Sequence, residues 1–173
     1  MKVLIVSRTF PAGHYRHPES TSFKRLILAG EKIHTIRANA KDYFKDGDKV
    51  SLRVWTGLPY RSKQREFAQM TIHLEPIDIV CASDMSLRCL VVGSEVAALD
   101  LCLHDGLTKD DFTDWFFPNG PGTFSGDILH FTDFRYGGSD VDCPYCEKGR
   151  DPNDGPYSRA CTICKGTNVG GSK

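Results

Sequence analysis

Four cysteines near the C-terminal end constrain the fold more than any other feature of this chain. They form two Cys-x-x-Cys pairs, Cys143/Cys146 and Cys161/Cys164, with fourteen residues between the pairs. Four thiolates at this spacing match a closed, tetrahedral zinc site, which a segment of about 30 residues needs in order to fold. A redox Cys-x-x-Cys normally comes singly, and a catalytic zinc keeps an open position. The pattern therefore predicts a structural Zn²⁺ site.

The composition indicates a folded protein in a reducing compartment. Of the 173 residues 40% are hydrophobic and 25% charged, which is normal for one globular domain with a small appendage. Seven cysteines, an odd count, and no export signal favour reduced thiols, and no run of about 18 apolar residues is present. We expect a cytoplasmic protein with no membrane contact and with Cys81, Cys89 and Cys102 in its core.

Hydrophobic periodicity predicts an α+β main domain. Strands are predicted at Met1–Arg8, Lys32–Arg37, Lys49–Trp55, Glu66–Ile79, Leu87–Val92 and Asp127–Tyr136. Helices are predicted at Ser22–Ala29, Ser94–Asp100 and Thr108–Phe117, the last with Thr108 as its N-cap. Polar loops are predicted at Pro11–Thr21 and Asn119–Gly126. We expect a main domain at residues 1–136, a linker at 137–142, the zinc module at 143–168 and a disordered tail at 169–173.

The two cysteine pairs lie in the sequences CPYCEKG and CTICKG. These sequences resemble the knuckles of the DnaJ-type zinc finger and of small zinc ribbons. The resemblance implies a recognition module for RNA or for a protein partner. Nearby basic residues supply the positive charge that such a role uses, namely Lys148, Arg150, Arg159 and Lys165.

The main domain carries a second motif between residues 28 and 48. A predicted helix ends on a glycine, Lys-x-x-Thr-Ile-Arg follows it, and a Gly-Asp turn comes next. The motif residues are Gly30, Lys32, Thr35, Ile36, Arg37, Gly47 and Asp48. This arrangement resembles the ASCH family, a branch of the PUA-like superfamily. The resemblance implies a small PUA-like β-barrel with flanking helices, followed here by the zinc-ribbon module.

The chemistry of this motif is coherent. Lys32, Thr35 and Arg37 bring an amine, a hydroxyl and a guanidinium to one strand. A partly desolvated lysine can take the proton of a threonine hydroxyl, which then attacks an acyl carbon, while arginine holds a phosphate or an oxyanion. The plainer alternatives are a β-prone threonine, a solvated lysine and an arginine paired with a buried acid.

Among ASCH relatives, bacterial N4-acetylcytidine amidohydrolases use a lysine, a threonine and a glutamate. The resemblance implies catalytic roles for Lys32, Thr35 and Asp105, the last being a carboxylate one methylene shorter than the glutamate. His34 would flank the implied cleft and is a candidate ligand-binding residue.

The segment from Trp55 to Gln64 interleaves aromatic and basic residues. Such segments suit surfaces that stack bases and contact phosphates. We expect Tyr60, Arg61 and Lys63 to bind nucleic acid, whereas Trp55 also fits the core end of a strand. The contact must be local, because the 22 basic and 22 acidic side chains cancel and exclude the basic background of a duplex-coating protein.

Three hypotheses follow from these features. In the first, a PUA-like barrel binds RNA, single-stranded nucleic acid or a modified nucleoside, and the zinc module makes a second contact. In the second, the protein is an amidohydrolase that deacylates an N-acylated nucleoside such as N4-acetylcytidine. In the third, it is a protein-interaction adaptor. The enzyme needs Lys32, Thr35 and Asp105 within hydrogen-bond reach around a cavity, whereas the binding protein needs an open groove with a basic rim.

Overall fold

The computed structural model describes residues 1–136, of which Met1–Thr132 form one compact unit. The strands are β1 Lys2–Ile5, β2 His34–Arg37, β3 Lys49–Trp55, β4 Gln64–Thr71, β5 His73–Cys81, β6 Leu87–Val91, β7 Ser94–Val96 and β8 Gly122–His130. The helices are α1 Phe23–Leu28, α2 Ala98–His104 and α3 Lys109–Phe116, with a 3₁₀ turn at Ala40–Asp42. The predicted α+β class is confirmed, and sheet predominates. No helix within residues 1–136 is long and apolar enough to cross a membrane.

The strands form two sheets. The smaller sheet has the order β1-β3-β4, with β1 parallel to β3 and β4 antiparallel to it. The larger sheet has the order β2-β8-β5-β6-β7 and is antiparallel throughout. Since β1 and β3 are parallel, the chain between them crosses over, and α1 and β2 lie in that connection.

One extended run of chain serves both sheets. Thr71 ends β4 and His73 begins β5, and only Ile72 separates them. Ile72 is fully buried, its N–H donates to Asp48 O at 2.9 Å, and its carbonyl accepts from Gly47 N at 2.9 Å. A strand that changes sheets in this way forms a corner between packed sheets. The single predicted strand at Glu66–Ile79 is therefore two strands.

Alternation places the core as predicted. In β5 the buried positions recur every second residue at Glu75, Ile77, Ile79 and Cys81. Cys89 and Cys102 are also buried, which confirms the prediction for the three cysteines of the main domain. Glu75 is the only charged residue among these four buried positions of β5, and it places a carboxylate on the apolar face of the strand.

The sequence predicts α3 correctly and α2 only in part. The Thr108 hydroxyl accepts from Asp111 N at 3.1 Å, so the predicted N-cap is confirmed. The helix predicted at Ser94–Asp100 is wrong at its start, since Ser94–Val96 pairs with β6 as β7 and α2 begins at Ala98. A three-residue edge strand is too short to show a sequence period.

The last strand begins earlier and ends earlier than predicted. The chain pairs with β5 from Gly122 to His130, whereas the sequence predicted a loop to Gly126 and a strand to Tyr136. A Cβ on Gly126 would lie 2.6 Å from Arg37 O, so this glycine marks a close approach of the β2 backbone and not a turn. The predicted linker, zinc module and tail lie outside the described residues.

Candidate functional site

Lys32 lies in the connection between α1 and β2. Its N–H and that of Glu31 donate to Leu26 O at 3.1 and 2.9 Å, which turns the chain back over the helix end. The Lys32 side chain is 1% exposed, and its Nζ donates to the backbone carbonyl of Asp105 and to Asp105 Oδ1, the latter at 2.6 Å. The structure therefore joins two of the three residues that the resemblance implied to be catalytic.

Asp105 reaches Lys32 because α2 ends beside it. Asp105 is the C-cap of α2, and Gly106 follows with φ +73, a left-handed conformation that glycine adopts without strain. A Cβ on Gly106 would lie 3.0 Å from Leu26 Cδ1 and 3.2 Å from Lys32 Cβ. The glycine thus lets the helix end approach the lysine stem closely.

Burial controls the ionisation of this pair. Desolvation lowers the pKa of Lys32 to about 8, although the Asp105 charge and hydrogen bond act in the opposite direction. Burial alone would raise the pKa of Asp105, but the Lys32 charge and His34 outweigh it and hold that pKa below its usual value. The two groups form a buried ion pair at neutral pH. Because the pKa of Lys32 is about 8, its amine loses the proton at a pH only one unit above neutrality.

Buried histidines continue the polar cluster into the larger sheet. His34 Nδ1 lies 3.6 Å from Asp105 Oδ1, and His34 pairs in register with His130, whose Nε2 lies 2.8 Å from Glu75 Oε2. Burial lowers the pKa of His34 to about 3, so this imidazole is neutral at physiological pH. His34 is fully buried and therefore does not face solvent, whereas the sequence made it a ligand-binding candidate.

The sequence did not single out Glu75 and His130. The available signal was the phase of β5, where Glu75 falls on the same face as Ile77 and Ile79. An acid in an otherwise apolar phase needs a partner, because an unpaired buried carboxylate is costly. The imidazole of His130 is that partner, from a strand 55 residues further along the chain.

Thr35 and Arg37 lie on β2 beside the pair without bonding to it. Thr35 is buried, and its hydroxyl is not bonded to Lys32, since both hydrogen bonds of the lysine go to Asp105. Arg37 donates to Ile36 O at 3.0 Å and to Ile5 O at 3.2 Å, which joins β2 to β1. The predicted catalytic trio is thus assembled only as far as Lys32 and Asp105.

A cleft of about 590 Å³ opens between the first loop, α1 and the smaller sheet. This volume is within the range of small-ligand sites. Its lining contains cations, hydroxyls and two aromatic rings and no carboxylate. The lining residues are Ser7, Arg8, Thr9, Ser20, Thr21, Ser22, Phe23, Lys24, Arg25, Val54, Trp55, Thr56 and Arg65.

The basic side chains that line the cleft differ in their bonding partners. Arg8 Nη1 donates to Trp55 O and to Thr56 O, both at 3.1 Å, so backbone carbonyls fix its guanidinium, and no carboxylate among residues 1–136 pairs with it. Arg25 pairs with Glu31 at 2.9 Å on the exposed surface. Arg65 has no carboxylate within ion-pair distance among residues 1–136. The cleft therefore carries an excess of positive charge.

Phe23 separates the cleft from the buried ion pair. Phe23 is one of the lining residues of the cleft, and Lys32 Nζ lies 4.3 Å from the centroid of its ring. Lys32 and Asp105 are not themselves part of the lining. In this conformation a ligand in the cleft would contact the ring and not the lysine.

Asp111 of α3 fixes the loop that forms one wall of the cleft. It is buried and accepts from Tyr15 Oη at 2.6 Å and from Arg16 Nη1 at 2.8 Å, while its backbone carbonyl accepts from His14 Nε2 at 3.1 Å. The same loop continues to Ser20 and Thr21, which line the cleft. Asp111 is thus a positioning residue for this wall.

No family model, curated protein or solved structure matches this chain. The ASCH resemblance therefore rests on the motif residues alone. Within residues 1–136 no group of three or more histidine, cysteine or acidic side chains could hold a metal ion, and the four zinc-binding candidates lie outside this range.

The remaining predicted ligand residues lie in the loop between β3 and β4, next to the cleft. Tyr60 is 90% exposed, and its ring centroid is 5.4 Å from that of Trp55. Arg61 and Lys63 are also exposed. The sequence missed Arg8, Lys24 and Arg25 as part of this basic surface, because they come from segments far from residues 55–64.

Proposed function

We propose that this protein binds nucleic acid, either RNA or a nucleotide, and that the cleft holds its phosphate groups. The observation that carries the proposal is the lining: four basic side chains, six hydroxyl side chains and no carboxylate. In a chain of zero formal net charge, this concentration of positive charge is local. Arginine forks and hydroxyls are the usual phosphate contacts in nucleic-acid interfaces.

The proposed architecture is a small PUA-like β-barrel of the ASCH type. Two sheets that share the β4–β5 run through Ile72 are compatible with such a barrel. We place a structural Zn²⁺ on Cys143, Cys146, Cys161 and Cys164, in a module that would add a second contact to RNA or to a protein partner.

The first test measures binding of a fluorescently labelled RNA by anisotropy between 50 and 200 mM salt (about the range over which phosphate contacts weaken strongly). Affinity should fall with salt, and Arg65→Ala should weaken binding and reduce the magnitude of the log–log slope by about 0.7 per lost phosphate contact. Arg88→Ala is the matched control, because Arg88 is an exposed arginine of the larger sheet. Unchanged anisotropy at low salt with RNA, DNA and tRNA would contradict the proposal.

The second candidate function is the amidohydrolase. It is favoured by a buried lysine of lowered pKa held by Asp105 directly behind the Phe23 ring. In that reaction the neutral amine form of Lys32, which predominates above its pKa of about 8, takes the Thr35 hydroxyl proton while Oγ1 bonds to the acyl carbon. The C–N bond then breaks as the leaving nitrogen receives the proton, and water hydrolyses the acyl-threonine. Phe23 must move for a substrate in the cleft to reach Lys32.

Mass-spectrometric turnover of N4-acetylcytidine tests this candidate. Wild type should release cytidine and acetate, and Thr35→Val, which keeps the side-chain shape and removes the hydroxyl, should not. Intact substrate after incubation with folded, zinc-loaded wild type would exclude the activity on this compound. Equal turnover by Thr35→Val would exclude the threonine nucleophile.

A further inference from the structure

The loop between β3 and β4 exposes an aromatic side chain that the fold does not need. Tyr60 is 90% exposed, the highest value among the large hydrophobic side chains of the described residues, and Leu58 beside it is 68% exposed. The Tyr60 ring is supported on one side by Trp55, at 5.4 Å between centroids and 51° between planes. Its other side faces solvent, so burying this ring requires a ligand.

The loop holds this ring in a defined place. Thr56 N donates to Lys63 O at 2.9 Å and closes the loop, and the Ser62 hydroxyl accepts from Gly57 N at 3.0 Å while donating to Leu58 O at 2.8 Å. Tyr60 has φ +61, a left-handed conformation that is unusual for a bulky residue. Arg61 N donates to Leu58 O at 3.2 Å across this turn, so hydrogen bonds fix the loop backbone on both sides of Tyr60.

The aromatic loop is continuous with the basic cleft. Trp55 and Thr56 belong both to the loop base and to the cleft lining, and Arg65 faces Val54 across the same strand pair. Arg61 and Lys63 add exposed positive charge at the loop. A polyanion whose phosphates occupy the cleft would therefore lie next to Trp55, whose ring centroid is 5.4 Å from that of Tyr60.

We infer that Trp55 and Tyr60 form a stacking platform for an unpaired nucleobase, and that the ligand of the cleft is a single strand. The inference rests on the proposed function and specifies its substrate class. In a single strand the faces of the bases are open to an aromatic side chain, whereas in a duplex they are stacked on each other. Every base can stack on an aromatic ring, so the platform should distinguish single strands from duplexes without selecting a sequence.

The test compares a labelled single-stranded RNA of mixed sequence with the same strand annealed to its complement, by anisotropy at low salt with the full chain. Wild type should bind the single strand at least tenfold more tightly. Tyr60→Ala should weaken single-strand binding by about 5- to 150-fold and leave duplex binding within about twofold. Tyr60→Phe keeps the ring and should bind like wild type. Tyr43→Ala is the matched control, because Tyr43 is another exposed tyrosine, 56% exposed and outside the cleft.

Each outcome separates the two proposals. Equal affinity for single strand and duplex, with Tyr60→Ala neutral, would overturn the platform and leave nucleic-acid binding in place. Weakening of both ligands to the same extent by Tyr60→Ala would overturn the selectivity for a single strand. Absence of binding to either ligand would overturn the proposed function and the platform with it.

Discussion

The substitution Asp105→Asn should destabilise the protein strongly, because it leaves the Lys32 ammonium without its counter-ion. The substitution Asp105→Asn keeps the size of the side chain and removes its charge. The Lys32 side chain is 1% exposed and both of its hydrogen bonds go to Asp105, so the cation would be buried with no carboxylate partner in the described structure. Breaking a buried ion pair by removing one partner costs about 3–5 kcal/mol.

The free energy of unfolding that Asp105→Asn loses has an upper limit, because Lys32 can release its proton and remain buried as a neutral amine. Taking Lys32 from a pKa of 10.5 in the unfolded chain to neutrality at pH 7 costs about 5 kcal/mol, which agrees with the upper end of that range. Because the folded-state pKa of Lys32 is depressed, the unfolded chain binds more protons between about pH 8 and 10.5, and stability contributed by this residue rises with pH there. In Asp105→Asn the folded-state pKa of Lys32 falls further, so the deficit should shrink as pH rises from 7 towards 8 and stay constant above it, where Lys32 is neutral in both folded proteins.

Urea unfolding at pH 7 and at pH 9.5, with fixed zinc and reductant, measures these effects on wild type, Asp105→Asn, Lys32→Met and the double variant. The double variant removes both charges and should lie within about 2 kcal/mol of wild type. The coupling energy should then be at least about 3 kcal/mol. Single variants that each cost under about 1 kcal/mol and add in the double variant would refute the buried ion pair.

Three further predictions concern other parts of the chain. The hydrogen bond to Asp111, followed by burial, raises the pKa of Tyr15 to about 12, so Asp111→Asn should return that pKa towards 10 in a spectrophotometric titration and weaken RNA binding by loosening the cleft wall. Gly106→Ala should cost about 1–3 kcal/mol in thermal or urea unfolding, because φ is +73 and the added Cβ meets neighbours. Gly47→Ala shares the positive φ but meets nothing within 4 Å and should cost less. Elemental analysis should find one zinc per chain, and Cys143→Ser should reduce that content at least tenfold; full zinc occupancy in this variant would contradict the four-cysteine site.

Local signals in the sequence predicted the elements that local interactions stabilise. The strand at Lys49–Trp55 and the Thr108 N-cap were both predicted from residues within a few positions, and both are confirmed, although Val50, Ser51 and Leu52 are all buried where alternation predicts a half-buried strand. The start of β8 was missed because Gly122 and Gly126 read as loop, whereas their pairing with β5 and the approach of Arg37 decide the structure. Tertiary pairing overrides propensity at such positions.

In the candidate site too, contacts between residues far apart in the chain could not be predicted from local signals. Lys32 and Asp105 are 73 residues apart, and only the motif resemblance placed them together before the structure joined them. No periodicity predicts the cleft, because its cations come from β1's exit, α1 and β4. Long-range packing of this kind leaves no pattern in a single sequence.

The continuous chain segment from β4 to β5 should couple the two sheets in native-state hydrogen exchange. The Ile72 amide is buried and bonded to Asp48 O, and it sits where β4 passes into β5. Neither sheet can open fully without displacing this residue, so both sheets should exchange as one cooperative unit with near-global protection at Ile72. The wall of the cleft on β3 and the histidine pair on β2 and β8 would then lose protection together, although they belong to different sheets.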